Sequence, residues 1–103
     1  MKKSLLLLAS TALLGTVAIT TLADEVGPGD AVKLLQAGKV KSYEELDKVA
    51  RDLHPGSNIE ETELENVYGK YVYKVELRDE AGRQWDIDLD AASGEVLSNH
   101  RDD

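Results

Sequence analysis

The sequence predicts an α+β fold, with a short helix and a main helix packed on one face of a three- to four-stranded antiparallel β-meander. Apolar residues recur at helical spacing from Tyr43 to Leu53. After Gly56 they alternate with polar residues, which is the period that strands require. Short turn-forming stretches separate the alternating runs, as is typical of consecutive antiparallel strands. Because each run has one apolar face, the main helix should cover that face.

The N-terminal residues have the pattern of an export signal. Two lysines precede an uncharged apolar run over residues 5–19, and Thr21 and Ala23 fit the small-residue ending of a cleavage site. We expect a signal peptide over residues 1–23, cleavage after Ala23 and a periplasmic mature protein. An uncleaved membrane anchor is the alternative, because about 20 uncharged residues are enough to span a bilayer.

The composition limits what the remaining chain can do. The formal charge of the whole chain is −8, and removal of Lys2 and Lys3 with the leader makes it −10. So acidic a domain should bind neither nucleic acid nor an anionic membrane surface, and it favours basic or cationic partners. It has no cysteine for disulfides, and its small core leaves little room for a deep active site. We expect a monomer with no enzymatic activity and no cofactor.

Residues 24–38 are predicted to form a linker and a short helix. Glycine and proline are concentrated at residues 26–29, which indicates a linker. Asp30 is then a suitable N-cap, and Gly38 a suitable end, for a helix over residues 31–37.

The main helix has clear start and stop signals. Ser42 and Glu45 form an S-x-x-E capping box in front of the apolar stripe. Pro55 and Gly56 should end the helix at about His54. We therefore expect one side of this helix to be buried against the sheet and the other to be charged and exposed.

Three alternating runs follow, centred on Leu64, Val75 and Ile87, and a short fourth strand begins at Val96. Glycine-containing turns join the runs, so that successive strands should pair antiparallel. The alternation places Trp85 and the tyrosines of the second strand on the core face.

The turn after the second strand suggests a register. If Asp79 pairs with Arg83, each residue of the second strand has a defined partner in the third. Arg78 could then reach Asp86 diagonally across the outer face. The pairs expected in the core are Leu77–Trp85, Val75–Ile87 and Tyr73–Leu89, and those on the outer face are Lys74–Asp88 and Glu76–Asp86.

An ordered series of short motifs runs through the second half of the chain. They are His-Pro-Gly at 54–56, Glu-Leu-Glu at 63–65, Tyr-Val-Tyr-Lys-Val-Glu-Leu at 71–77, Trp-Asp-Ile-Asp-Leu-Asp-Ala at 85–91 and Ser-Gly-Glu-Val-Leu at 93–97. Together they make residues 39–103 resemble the PepSY family, the peptidase propeptide and YpeB-like domain. Lys74 and Ser93 depart from the family pattern, in which an acid and a threonine are common at these places.

The resemblance implies an extracytoplasmic, non-catalytic module. Members of the family occur in propeptides of secreted metallopeptidases and as stand-alone exported proteins, so that inhibition or regulation of an extracytoplasmic peptidase is the implied role. A second role stays open: an envelope sensory or accessory module that senses cations or cationic peptides for a membrane partner.

The outer face of the sheet and one turn supply the candidate partner-binding residues. The alternative for the face is that its acids are merely solvated. Tyr68, in the turn before the second strand, is the aromatic residue expected to be exposed. The acidic candidates are Glu61, Glu63, Glu76, Asp86 and Asp88.

No catalytic or metal-ligating residue is predicted. The run from Asp86 to Asp90 begins like an EF-hand loop, but Ala91 and Leu97 stand where that loop needs glycine and glutamate. Alternate acids on a strand are also about 7 Å apart, too far to surround one ion. His54 and His100 have no second histidine at ligand spacing.

Overall fold

A computed structural model of the chain describes residues 23–102, which form two helices and one five-stranded antiparallel sheet. The strand order follows the chain, so the sheet is a meander. The predicted α+β fold is confirmed. The predicted leader lies outside the described residues except for Ala23. The elements are β1 (Ala23–Glu25), α1 (Pro28–Gln36), α2 (Tyr43–Leu53), β2 (Asn58–Val67), β3 (Lys70–Arg78), β4 (Gln84–Asp90) and β5 (Val96–Arg101).

Helix α2 begins at the predicted capping box. The Ser42 hydroxyl accepts a hydrogen bond from the Glu45 backbone N–H at 3.2 Å, and the Glu45 carboxylate accepts one from the Ser42 backbone N–H at 3.4 Å. These two bonds satisfy backbone donors that a helix start leaves unpaired. Leu46 and Ala50 are fully buried against the sheet, so the helix covers the core face as predicted.

The linker predicted over residues 26–29 is shorter in the structure, because only Val26 and Gly27 connect β1 to α1. Strand β1 occupies residues 23–25, and the Val26 N–H continues its pairing by donating to the Leu64 carbonyl at 2.7 Å. Helix α1 begins at Pro28 with Gly27 as its N-cap, three residues earlier than predicted. Proline suits this place because the first helical N–H groups have no intrahelical acceptor. Asp30 lies in the first turn, where an acid favours the helix dipole.

The register between β3 and β4 is the one predicted from the turn. Leu77 lies opposite Trp85, and the Asp79 N–H donates to the Arg83 carbonyl at 2.9 Å. Leu77 and Ile87 are fully buried, and Trp85 packs against the core as a partly buried residue. Ala31 of α1 and Leu46 and Ala50 of α2 are buried in the core on this face, so the outer face is left without a helix over it within residues 23–102.

Strands β2 and β5 are both longer than predicted, and the extra length of β2 gives Arg78 a different partner from the one expected. Strand β2 begins at Asn58, opposite Arg78, and contains an irregularity between Ile59 and Glu61. The Arg78 guanidinium therefore bonds Glu60, with Nε 3.0 Å from Oε2, and not Asp86. Strand β5 continues to Arg101, whereas the sequence indicated only its beginning.

No helix within residues 23–102 is long and apolar enough to cross a membrane.

Candidate partner-binding surface

Strand alternation and the meander together build an acidic, open concavity on the outer face of the sheet. Its volume is about 350 Å³. All five acids that the sequence singled out line it, and Asp102 joins them from the end of β5. We call these six residues the acidic concavity: Glu61, Glu63, Glu76, Asp86, Asp88 and Asp102.

Like charges face one another across three neighbouring strands. Glu76 of β3 lies opposite Glu61 on β2 and opposite Asp86 on β4. Carboxylate oxygens of Glu76, Asp86 and Asp102 also lie within 4.8 Å of one another. Directly opposed like charges destabilise a sheet, so this arrangement costs the fold some stability.

The electrostatic consequence appears in two pKa values. Partial loss of hydration raises the pKa of Glu76 above its ordinary value, and the charges of Glu61 and Asp86 raise it further. The pKa of Asp86 is raised by the same loss of hydration and then by the charge of Asp102. Each of these groups is thus harder to ionise than a free carboxyl group, first because it has lost hydration and second because neighbouring acids repel its charge.

Neutralising groups are few on this surface. Lys74 is the one lysine or arginine that lines the concavity in the described part of the chain, and its Nζ lies 3.5 Å from Asp88. The Gln84 amide donates to Glu76, and to Asp102 at 3.3 Å, which bridges two of the acids without adding charge. A partner that brought positive charge would therefore meet carboxylates that are largely unpaired with cations.

Within residues 23–102, Glu76, Asp86 and Asp102 are the one group of acid or histidine side chains close enough to share a metal ion. Exposed acidic groups of this kind are also common on solvated surfaces that bind no ion. The three acids of the EF-hand-like run, Asp86 to Asp90, do not act together. The Asp90 carboxylate accepts hydrogen bonds from the backbone N–H groups of Ala92 and Ser93.

Sequence reasoning missed Asp102, Gln84 and His100, which all contribute to this surface. Asp102 was missed because β5 was expected to be short. In the structure the pairing with β4 extends to Asp102, whose N–H donates to the Gln84 carbonyl at 2.9 Å. His100 lies opposite Asp86 and lines the concavity. No local signal fixes the register of β5, because it shifts between Asp88 and Leu89.

Tyr68 lies apart from the acids, in the two-residue turn between β2 and β3. Its side chain is 72% exposed, as predicted, and its φ of 55° is in the left-handed region. The Asn66 side chain supports the turn by accepting the Gly69 N–H at 2.7 Å. Tyr68 does not line the concavity, so the structure does not bring it together with the other five candidates.

His54 and Trp85 form a contact on the opposite, helix-covered face. Their ring centroids are 4.2 Å apart, and His54 Nε2 is 2.9 Å from the Asn99 side-chain oxygen. This histidine therefore links the end of α2 to β4 and β5. Its partners give it a packing role at the end of the helix.

A comparison with protein families agrees with this architecture. The model of the PepSY family, described as peptidase propeptide and YPEB domain, matches residues 40–100. The chain belongs to the PepSY family. The match spans the loop before α2, the helix itself and strands β2 to β5. No curated protein and no solved structure matches the chain.

PepSY membership gives the general character of the domain. PepSY domains are propeptide- or inhibitor-type modules, generally non-catalytic, that typically interact with peptidases. The domain is thus a peptidase-propeptide-like or regulatory binding module in general terms. The acidic concavity concentrates negative charge on one face of this PepSY domain, and a negative surface attracts positively charged groups.

Proposed function

We propose that this PepSY protein is an exported, non-catalytic binding module that regulates or inhibits an extracytoplasmic peptidase. The observation that carries the proposal is the acidic concavity in a domain whose family typically interacts with peptidases. Glu61, Glu76 and Asp86 keep their mutual repulsion in the free protein. A lysine or arginine of a partner would relieve that repulsion on binding.

The charge arrangement also predicts how binding proceeds. A surface of one sign attracts an oppositely charged partner over a Debye length, about 8–10 Å at moderate salt. Such attraction mainly accelerates association, and added salt weakens it. A binding module of this kind needs no catalytic group, which agrees with the general character of the family.

A pull-down from periplasmic extract tests the proposal. The bait is the mature protein beginning at Asp24, and a variant with Glu76→Lys serves as the matched control. We expect a peptidase that wild type retains and the variant retains less well. A sensor-kinase ectodomain or a transporter in the eluate, without a peptidase, would overturn this proposal in favour of the sensory role.

Export is part of the proposal and has its own test. The leader pattern at residues 1–23 supports cleavage after Ala23. Mass spectrometry of the periplasmic protein should find Asp24 as the first residue. An intact N-terminus on membrane-bound material would contradict cleavage and support the anchor.

A further inference from the structure

One edge of the sheet is open in the described residues. Strand β5 pairs with β4 on one side and is the last strand in the sheet order. An edge strand presents backbone donors and acceptors to which an extended segment of another chain can bind.

The hydrogen-bond pattern shows which backbone groups of β5 point outward. The Asp102 N–H donates to the Gln84 carbonyl at 2.9 Å, which makes these two residues a hydrogen-bonded pair. Such pairs alternate along an antiparallel ladder. Asn99, opposite Ile87, is therefore at a position of the other type, whose N–H and C=O are directed away from β4.

The two edges of the sheet differ in protection. On the β2 side, the short β1 covers residues 65–67, and the remainder has a register irregularity and glutamates at 60, 61 and 63. Bulges and charges of this kind discourage added strands. In contrast, residues 96–99 of β5 carry no charge, and Val96 and Leu97 are 39% and 41% exposed.

We propose that β5 accepts an extended, basic segment of a protein partner as a sixth strand. Charge complementarity selects this occupant. Alternate side chains of an added strand would project on the outer face beside Ser98, His100 and Asp102 of β5, with Asp86 and Asp88 on the strand beyond. Lysine or arginine there would be attracted by the acidic concavity. A second copy of this chain would instead place another acidic face beside the first, and the two faces would repel each other.

The inference rests on the proposed function for the identity of the partner, but its chemistry is testable without that partner. The probe is a labelled eight-residue peptide of alternating lysine and threonine, titrated into the mature protein. We expect it to bind, and the matching glutamate–threonine peptide to bind at least about tenfold more weakly, about 1.4 kcal/mol.

Backbone methylation separates strand addition from simple charge attraction. One probe is N-methylated at its threonines and another at its lysines, so that each loses the N–H groups of one edge. Strand addition uses one edge of the peptide, so one methylated probe should lose binding and the other should keep it. Equal binding of both probes would overturn the proposal.

Asn99 supplies a matched pair of protein variants. Both Asn99→Pro and Asn99→Ala remove the side-chain contact with His54, but only proline also removes the outward N–H. We expect Asn99→Pro to weaken binding of the lysine–threonine peptide at least about tenfold relative to Asn99→Ala. Equal affinities of two folded variants would contradict strand addition.

If Asn99→Pro fails to fold, the methylated probes with wild-type protein decide the question. Sedimentation tests the alternative occupant. If the wild-type protein is a dimer and Asn99→Pro is a monomer, the β5 edge binds a second copy of the chain, and the proposal of a basic partner is overturned. Neither result depends on which protein the pull-down retains, so failure here is distinguishable from failure of the proposed function.

Discussion

The two faces of the β3–β4 pair follow one register but have opposite chemistry. On the covered face, Leu77 lies opposite Trp85 beneath the end of α2, and apolar burial favours the pairing. One residue earlier in β3, Glu76 lies opposite Asp86, and their charges oppose the pairing. The apolar core that stabilises this pair therefore lies on one face, whereas the Glu76–Asp86 pair on the other face has a cost in stability.

The largest effect should come from the covered face. Leu77 is fully buried, so Leu77→Ala should lower the free energy of unfolding by about 3–5 kcal/mol, through lost burial and the cavity left behind. That is a large part of the total for a small domain. Chemical denaturation measures it. An unchanged midpoint would mean that the covered face is not the source of stability.

Trp85→Ala should have the next largest effect, about 3 kcal/mol, because the indole is only partly buried. The indole N–H donates to the Asp79 carboxylate at 2.9 Å, and this bond holds the pKa of Asp79 down to about 2. The variant should therefore also raise the pKa of Asp79 toward 3.8, which NMR titration would detect. An unshifted Asp79 pKa would contradict the contact, and an unchanged stability would make Trp85 a surface aromatic available to a partner.

The smallest effect, and one of opposite sign, should come from the outer face. Glu76→Gln should increase stability at pH 7, because it removes charge that faces Glu61 and Asp86. The pKa of Glu76 is raised in the fold, so its contribution is favourable below its ordinary pKa of 4.5 and is lost as the pH rises through the folded value.

The gain from Glu76→Gln should therefore shrink as the pH falls through the raised, folded-state pKa of Glu76, and it should be smallest below 4.5. Denaturation of both proteins at pH 7 and pH 3.5 measures the difference, and Glu44→Gln on α2 is the control on the other side of the sheet. A loss of stability at pH 7 would show that the outer face supports the fold, and the contrast between the faces would fail.

Particular residues show how far the sequence predicts this molecule. Helix α2 and the β3–β4 register were predictable because the capping box at Ser42 and the turn at Asp79 are local signals. Strand β1 was not, because its three residues pair with the distant end of β2 and have no alternating pattern of their own.

The residues of the candidate surface likewise include some that local sequence signals predict and some that they do not. Glu76 and Asp86 could be placed together from their local turn, and the structure does so. Asp102 could not, because its position depends on the full length of β5 and on a register shift between Asp88 and Leu89. Arg78 was misassigned for a similar reason, since its true partner Glu60 belongs to a stretch of β2 that the sequence did not reveal.

The central claim is that the acidic concavity is a docking surface and not a solvated face. Its most direct test is the rate of association of the retained peptidase with wild type, Glu76→Lys and Glu44→Lys at low and high salt. The two variants carry the same change in charge on opposite sides of the sheet. We expect Glu76→Lys to slow association several-fold more than Glu44→Lys at low salt, with the difference reduced at high salt. Equal association rates for the wild-type protein and Glu76→Lys would contradict the claim.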